Sequence, residues 1–203
     1  MKVNFVKTFI PVKDFVAVEK VGDKILVRFD AVKDADMDAY SCVEGSVSAS
    51  EYNEQEVRRE YEVWKQKWAE KALVLAKKAK IAEITAYDTS DKVNGFILNG
   101  MLIPWSKNDP NSPNVEKRMC LRQNIADKVA LGEKNIAIWL KGMSFTMPCS
   151  QAEVLMRSIE NYAYECFNVT AAHKKAVSEL TTIEEVEAYD YKSGYPKMLE
   201  MSV

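Results

Sequence analysis

The only histidine of the chain, His173, has the side chain best suited to acid–base chemistry, because an imidazole exchanges protons near neutral pH and also binds metals. Glu165 and Cys166 lie close to it in the sequence and are its candidate partners. The chain has no second histidine to complete a metal site, and the residues around His173 have a helical pattern. We therefore expect His173 to pack or to form hydrogen bonds within the protein.

The four cysteines, Cys42, Cys120, Cys149 and Cys166, are candidate nucleophiles, metal ligands or disulfide partners. They are widely spaced and include no C-x-x-C pair, so the close ligand pairs typical of zinc sites are missing. A Cys–His nucleophilic pair is assembled in space, and no local motif marks an activated thiolate. We expect four reduced, partly buried thiols, and the even number also permits two disulfides.

Three alternating carboxylates, Asp34, Asp36 and Asp38, are spaced like ligands of a hard cation. The pattern lacks the central glycine and the distal glutamate of an EF-hand loop, so a solvated acidic turn is the favoured interpretation. The chain contains no Walker loop, no G-x-G-x-x-G and no G-x-S-x-G. The sequence therefore predicts no catalytic residue, no cofactor and no metal site.

The composition indicates one or two globular cores, with 203 residues of which 47% are hydrophobic and 29% charged. The net charge is -2, from 28 basic and 30 acidic residues, and this gives no electrostatic footprint for nucleic acid. No apolar run approaches the roughly 20 residues of a membrane span, and the first residues do not resemble a signal peptide. We expect no nucleic-acid partner, no membrane span and no export.

The first 50 residues predict a small β-rich unit. Alternating apolar residues in Phe15–Val21 and Ile25–Phe29 predict a hairpin. Pro11 predicts that the first strand lies at a sheet edge or is interrupted at this residue. A further short strand is expected at Tyr40–Val43. The small residues Gly45–Ser50 predict a flexible connection.

A long amphipathic helix is predicted from Asn53, its cap, to about Ala86. About 34 residues make a helix roughly 50 Å long, which a small domain does not cover, so part of it is expected to contact another chain or to bridge two units. Trp64 and Trp68 can pack on the chain's own sheet or anchor a subunit contact. The apolar face is Val57, Tyr61, Trp64, Trp68, Ala72, Leu75, Ala79 and Ala82; the predicted partner interface is Val57, Tyr61, Trp64, Trp68 and Leu75.

Residues 87–203 predict a compact α+β unit. Asn99-Gly100 marks one hairpin, the residues between Asn135 and Pro148 form another, and Lys107–Asn114 is a Pro/Asn-rich loop. The predicted helices are 115–131, one capped by Ser150 and a short one with a Thr182 capping box. Residues Thr170–Leu180 are expected either to continue the helix of Ser150 or to form a separate short helix. The fold class is therefore α+β, with units 1–50 and 87–203 joined by the helix 51–86 and with C-terminal antiparallel hairpins covered by helices.

Three blocks of the second half resemble a domain family from tailed phages and prophages of gut Bacteroidetes. They are ITAYDTSDKVNGF (Ile84–Phe96), AAHKKAV (Ala171–Val177) and TTIEEVEAYDYKSGYP (Thr181–Pro196), and the last is long and specific. The resemblance covers about 120 residues and leaves the first 50 outside it. It implies a tail, fibre-attachment or baseplate role in a virion assembled from proteins made in the bacterial cytoplasm, and it brings no catalytic residues.

Together the residues and the resemblance predict a non-enzymatic structural or adaptor protein of a virion. Its expected partners are other phage structural proteins and further copies of itself. The alternative is a tail-fibre assembly chaperone that is absent from the finished particle. A small enzyme acting on the cell wall or on host regulation would need a clustered acid–base pair, which the sequence does not show.

Overall fold

The computed structural model describes residues 2–105 and 115–203, and its helices and antiparallel strands confirm the predicted α+β class. The chain divides into residues 1–72, here called unit 1, and residues 73–203, here called unit 2. The long helix α1, Glu54–Asp88, crosses that boundary, whereas the sequence predicted a helix separate from both units. The predicted loop Lys107–Asn114 lies outside the described residues.

Unit 1 contains a four-stranded antiparallel sheet in the order β1-β4-β3-β2. The predicted hairpin is β2–β3, and the predicted edge strand is β1, which ends at Pro11. Both predictions are confirmed. The strands are β1 Asn4–Pro11, β2 Val18–Val21, β3 Lys24–Asp34 and β4 Ala39–Ser48.

Strand β4 is longer than predicted, and the expectation of a flexible connection at Gly45–Ser50 is wrong as far as Ser48. Val47 is buried, so the alternation of a half-buried strand continues through these small residues. Gly45 is required by its neighbour, since a Cβ at this position would lie 2.7 Å from Cε1 of Phe5. The residue at position 45 is therefore small because the Phe5 ring packs closely against the backbone there.

Helix α1 begins as predicted at its cap, because Asn53 Oδ1 accepts hydrogen bonds from the backbone N–H groups of Gln55 and Glu56. In unit 1 the helix packs on the sheet through the predicted apolar stripe. Val57 and Tyr61 are buried there against Val27, Phe29, Val43 and Val47.

The part of α1 that belongs to unit 2 buries a different stripe from the one predicted. Leu75, Ala79 and Ala82 are exposed, and the contacts with the rest of unit 2 are made by Leu73, Ala76, Ile81 and Ile84. The predicted apolar face therefore does not continue as a buried face along the whole helix.

Among its described residues, unit 2 contains two small sheets, each built on one of the two predicted hairpins. The hairpin β5–β6 turns at Asn99 and Gly100, with φ of 51° and 78°, as expected for a type I′ turn. The two-residue strand β9 adds parallel to β5 and was not predicted. The strands are β5 Gly95–Leu98, β6 Met101–Pro104, β7 Asn135–Leu140, β8 Met143–Pro148 and β9 Glu200–Met201; β7 pairs with β8.

The described residues of unit 2 also form the helices α2 Val115–Ala130, α3 Cys149–Glu179 and α4 Ile183–Ala188. The prediction of Ser150 as a cap is wrong, because α3 begins at Cys149 after Pro148 and has no side-chain cap. The capping box of Thr182 and Glu185 is confirmed. The main core gathers both sheets with α2 and α3, and its buried residues include Phe96, Leu98, Ile103, Ile125, Ile136, Ile138, Leu155 and Ile159.

The sheet face of unit 1 that α1 does not cover is organised by Arg28. Its side chain is 6% exposed, and its guanidinium donates to carboxylate oxygens of Glu19 at 2.8 Å and Glu44 at 3.0 Å. It also donates to the backbone oxygen of Val16, in the segment that precedes β2. One cation thus joins three parts of the unit.

We expect Arg28→Ala to lower the free energy of unfolding by about 2 to 3 kcal/mol, because it leaves two carboxylates without their buried partner. Lys33→Ala is the control, since the Lys33–Asp38 pair has side chains that are 57% and 86% exposed. Its loss should cost less than about 0.5 kcal/mol. Urea unfolding of both variants is the measurement, and equal effects would contradict the role given to Arg28.

Candidate docking site

Four aromatic side chains form a stack that runs from the core of unit 1 to its surface. Successive ring centroids are 4.1 Å apart for Phe29 and Tyr61, 6.0 Å for Tyr61 and Trp64, and 5.3 Å for Trp64 and Trp68. The spacing of three and four residues along α1 puts the last three on one side of the helix. Phe29 and Tyr61 are buried, and Trp68 is 45% exposed. We call this set the aromatic stack.

The sheet residues beside the outer end of the aromatic stack come from β1 and β3. Phe5, Lys7 and Phe9 alternate onto the face that α1 covers: Phe5 lies 5.6 Å from the Trp64 ring, and Lys7 Nζ lies 5.2 Å from the Trp68 ring. Phe9 and Val32 both pair with Ser41 of β4 and are largely exposed. The sheet therefore continues as an apolar surface beyond Trp68.

A cavity of about 290 Å³ lies between α1 and the sheet at this place. It is lined on the helix side by Tyr61, Trp64, Lys65, Trp68 and Ala69, and on the sheet side by Lys7, Asp30, Val32, Ser41, Cys42 and Val43. Its walls are mostly apolar with a few charged groups, which is typical of a binding pocket.

Asp30 shapes one side of the cavity. It lies in a β-bulge between Phe29 and Val32 and has a left-handed φ of 47°, a conformation that aspartate tolerates better than most residues. Its Oδ2 accepts hydrogen bonds from Tyr61 Oη at 2.8 Å and from Lys65 Nζ at 2.7 Å. The helix thus holds the bulge in place.

These contacts also set the charge of the site. The bond from Lys65, followed by that from Tyr61, lowers the pKa of Asp30 below its ordinary value. Burial, followed by the bond to Asp30, raises the pKa of Tyr61. Near neutral pH the cavity therefore holds an ionised Asp30 that is paired with a cation, next to a protonated Tyr61.

The five residues predicted to contact a partner are placed differently from one another. Val57 and Tyr61 are 0% and 3% exposed in the core of unit 1, and Trp64 is half-buried. Trp68 and Leu75 are 45% and 57% exposed, the latter in unit 2. The interface remains a prediction, and Trp68 and Leu75 are the most accessible of the five.

Sequence reasoning missed the sheet side of the cavity. Asp30 gives no local signal, because a bulge depends on pairing with a distant strand. The alternation of Phe5, Lys7 and Phe9 was the available signal, since period-two spacing places a charge between two aromatic residues on one face.

The histidine and the acidic turn that the sequence offered as candidate sites form hydrogen bonds within the protein. Nε2 of His173 lies 2.9 Å from the backbone oxygen of Ser193, which only accepts, so Nε2 donates. Nδ1 forms a second hydrogen bond, with Tyr189 Oη at 2.8 Å. This confirms the expected hydrogen-bonding role. Asp34 Oδ1 accepts from the backbone N–H groups of Asp36 and Met37, as expected for an acidic turn.

All four cysteines are free thiols, as predicted, with Cys42, Cys149 and Cys166 buried and Cys120 exposed. Burial raises the pKa of both Cys42 and Cys166, which disfavours the reactive thiolate. Within residues 2–105 and 115–203, no group of three or more His, Cys, Asp or Glu side chains is arranged to hold a metal ion. In the same ranges no helix has both the length and the apolar content to cross a membrane.

The Asp30 contacts make the stability of unit 1 depend on pH. A lowered pKa means that the folded state holds its proton less tightly than the unfolded state, so the charge stabilises unit 1 above about pH 4. The stabilisation is lost as the pH falls through the folded-state pKa. We expect wild type to exceed Asp30→Asn in stability at pH 7, by less than about 1 kcal/mol because the carboxylate is 54% exposed.

The difference between wild type and Asp30→Asn should shrink as the pH falls below 4. Urea unfolding across this range tests it, with Trp105 and Trp139 replaced by phenylalanine so that fluorescence reports only Trp64 and Trp68 of unit 1. Asparagine keeps an acceptor and tolerates the positive φ, which isolates the charge. A difference independent of pH would contradict the assignment.

Comparison with protein-family models, with characterised proteins and with solved structures gave no match to this chain.

Proposed function

We propose that this chain is a non-enzymatic structural or adaptor protein of a tailed-phage virion, in the tail, fibre-attachment or baseplate region. It acts by docking other virion proteins and is made in the cytoplasm of the bacterial host. The observation that carries the proposal is the exposed outer end of the aromatic stack beside a mostly apolar cavity. Large, pre-positioned aromatic side chains are the commonest anchors of protein–protein contacts.

The blocks that resemble the phage family support a division of roles, because they meet in space within unit 2. Thr170 of α3, just before the second block, has its Oγ1 2.8 Å from both Asp88 Oδ1 of the first block and Tyr195 Oη of the last. His173 of the second block bonds to Tyr189 of the third. These hydrogen bonds hold the C-terminal segment against α1 and α3.

The core between the same blocks is built from Ile84, Val177 and Val186, one from each block. The three blocks thus contribute to one core of unit 2, and the candidate docking site of unit 1 lies outside them. In our proposal unit 2 is the part shared with other phage proteins, and unit 1 selects the partner.

Mass spectrometry of purified virions tests the proposal. We expect the chain at a fixed ratio to other tail proteins, because a docking protein is retained in the particle. A lysate of the same infected cells is the control for expression. Presence in the lysate with absence from virions would overturn the structural role and favour the tail-fibre assembly chaperone.

We propose further that the protein self-associates through the exposed apolar residues of α1 in unit 2. Val74 and Leu75 are 63% and 57% exposed on adjacent positions of the helix. These side chains lie on the long helix and are accessible to a second copy of the chain, and closed symmetric assemblies are the commonest form of homo-oligomer.

Light scattering tests the self-association. We expect wild type at a multiple of 23.1 kDa and Leu75→Ser shifted toward the single-chain mass. Leu131→Ser is the matched control, because Leu131 is 77% exposed and follows α2, away from the α1 surface. A wild-type mass of one chain would contradict self-association. Equal masses for wild type and Leu75→Ser would show that this surface of α1 is not the contact.

A further inference from the structure

We propose that the cavity beside Trp64 and Trp68 binds an aromatic side chain of a partner protein, and that an adjacent carboxylate of that partner pairs with Lys7. The proposal deepens the docking function and rests on it. Its occupant is an acidic–aromatic segment of another protein.

The size and walls of the cavity fit one large side chain. At about 290 Å³ it is slightly smaller than the pockets that hold whole ligands, about 300 to 1,000 Å³, which suits a single side chain. Trp64 and Trp68 offer ring faces, and Val32 and Val43 offer aliphatic surface. Aromatic rings gain from stacked or edge contacts beyond the area that they bury.

The helix side of the cavity is already ordered in the free protein. Trp64 is held between Tyr61 and Trp68, and the Phe5 ring lies 5.6 Å from it. A partner therefore does not have to order these rings when it binds, which lowers the entropic cost of association.

The charges select an anion next to the ring. Asp30 is satisfied within the chain, since Tyr61 and Lys65 both donate to its Oδ2. Lys7 lies over the Trp68 ring and, within residues 2–105 and 115–203, forms no ion pair with a carboxylate. One neutralised ion pair and one uncompensated cation make the mouth of the cavity attractive to a carboxylate and repulsive to an ammonium group.

The test compares two capped dipeptides, N-acetyl-Glu-Phe-amide and N-acetyl-Lys-Phe-amide, added to the full-length protein. The indole N–H signals of Trp64 and Trp68 are followed by NMR, each assigned by its single replacement with phenylalanine. We expect saturable shifts with the Glu-Phe peptide at a Kd of the order of millimolar, as for a ligand of this size. The Lys-Phe peptide should bind at least about fivefold more weakly.

Two variants and one control identify the groups responsible. Lys7→Met keeps an aliphatic stem on Trp68 and removes the charge, so the preference for Glu-Phe over Lys-Phe should disappear. Val32→Trp places a bulky ring at the mouth, where Val32 is 66% exposed, and should weaken Glu-Phe binding at least about tenfold. Lys20→Met removes an exposed lysine of β2 and should leave both peptides unchanged.

The proposal is overturned by any of four results with the peptides and ligands, and by a fifth that concerns the protein alone. These are no saturable shift of Trp64 and Trp68, equal affinity for the two peptides, an acid preference that survives Lys7→Met, or tighter binding of 3-phenylpropionate than of Glu-Phe. The last would assign the cavity to a small aromatic acid. Shifts that follow protein concentration alone would assign it to a second copy, with the same consequence.

The failure of this inference is distinguishable from that of the proposed function. If the chain is present in virions but its cavity does not bind the peptides, the structural role stands and this mode of docking is wrong. If the chain is absent from virions but its cavity binds the Glu-Phe peptide, the mode of docking stands and the structural role is wrong.

Discussion

Unit 1 depends on the contact between Tyr61 of α1 and Phe29 of β3, whose rings stack at 4.1 Å with an interplanar angle of 10°. The four-stranded sheet has an apolar face that must be buried, and this contact packs the helix against that face. The same tyrosine donates to Asp30 and fixes the bulge where β3 changes register. Removing Tyr61 would therefore affect the core and the cavity wall together. One side chain links stability to the shape of the candidate docking site.

The helix that carries Tyr61 serves two cores with two different stripes. In unit 1 the buried positions continue from Val57 to Tyr61, and in unit 2 the deepest position is Ile84, which packs with Val177 and Val186. Each unit therefore obtains a buried helix face without sharing one stripe. The consequence is that apolar residues lying on the first stripe but beyond its sheet, such as Leu75, are left largely exposed by the residues that the structure describes. Their exposure is a result of the change of stripe.

Local signals predicted much of this fold, and long-range pairings account for what was missed. Asn53, Asn99-Gly100 and Thr182 were interpreted correctly because caps and tight turns depend on a few adjacent residues. The strand β9 has two residues and exists only by pairing with β5. The change of stripe in α1 depends on which distant residues it meets. At the candidate site, α1 periodicity identified Trp64 and Trp68, whereas Asp30 needed the register of β3 with β4.

Lys7 is the residue at the site that the fold explains least well. It shares a sheet face with Phe5, which packs in the core, and it lies over the ring of Trp68. An apolar residue at this register position would cover the tryptophan and extend the core, as binary patterning favours. The lysine contributes a cation–π contact, worth about 0.5 to 1 kcal/mol at an exposed site, and leaves its charge without a carboxylate within residues 2–105 and 115–203. Departures of this kind from local consistency are typical of functional positions, so the charge of Lys7 is better explained by what the cavity binds than by how unit 1 folds.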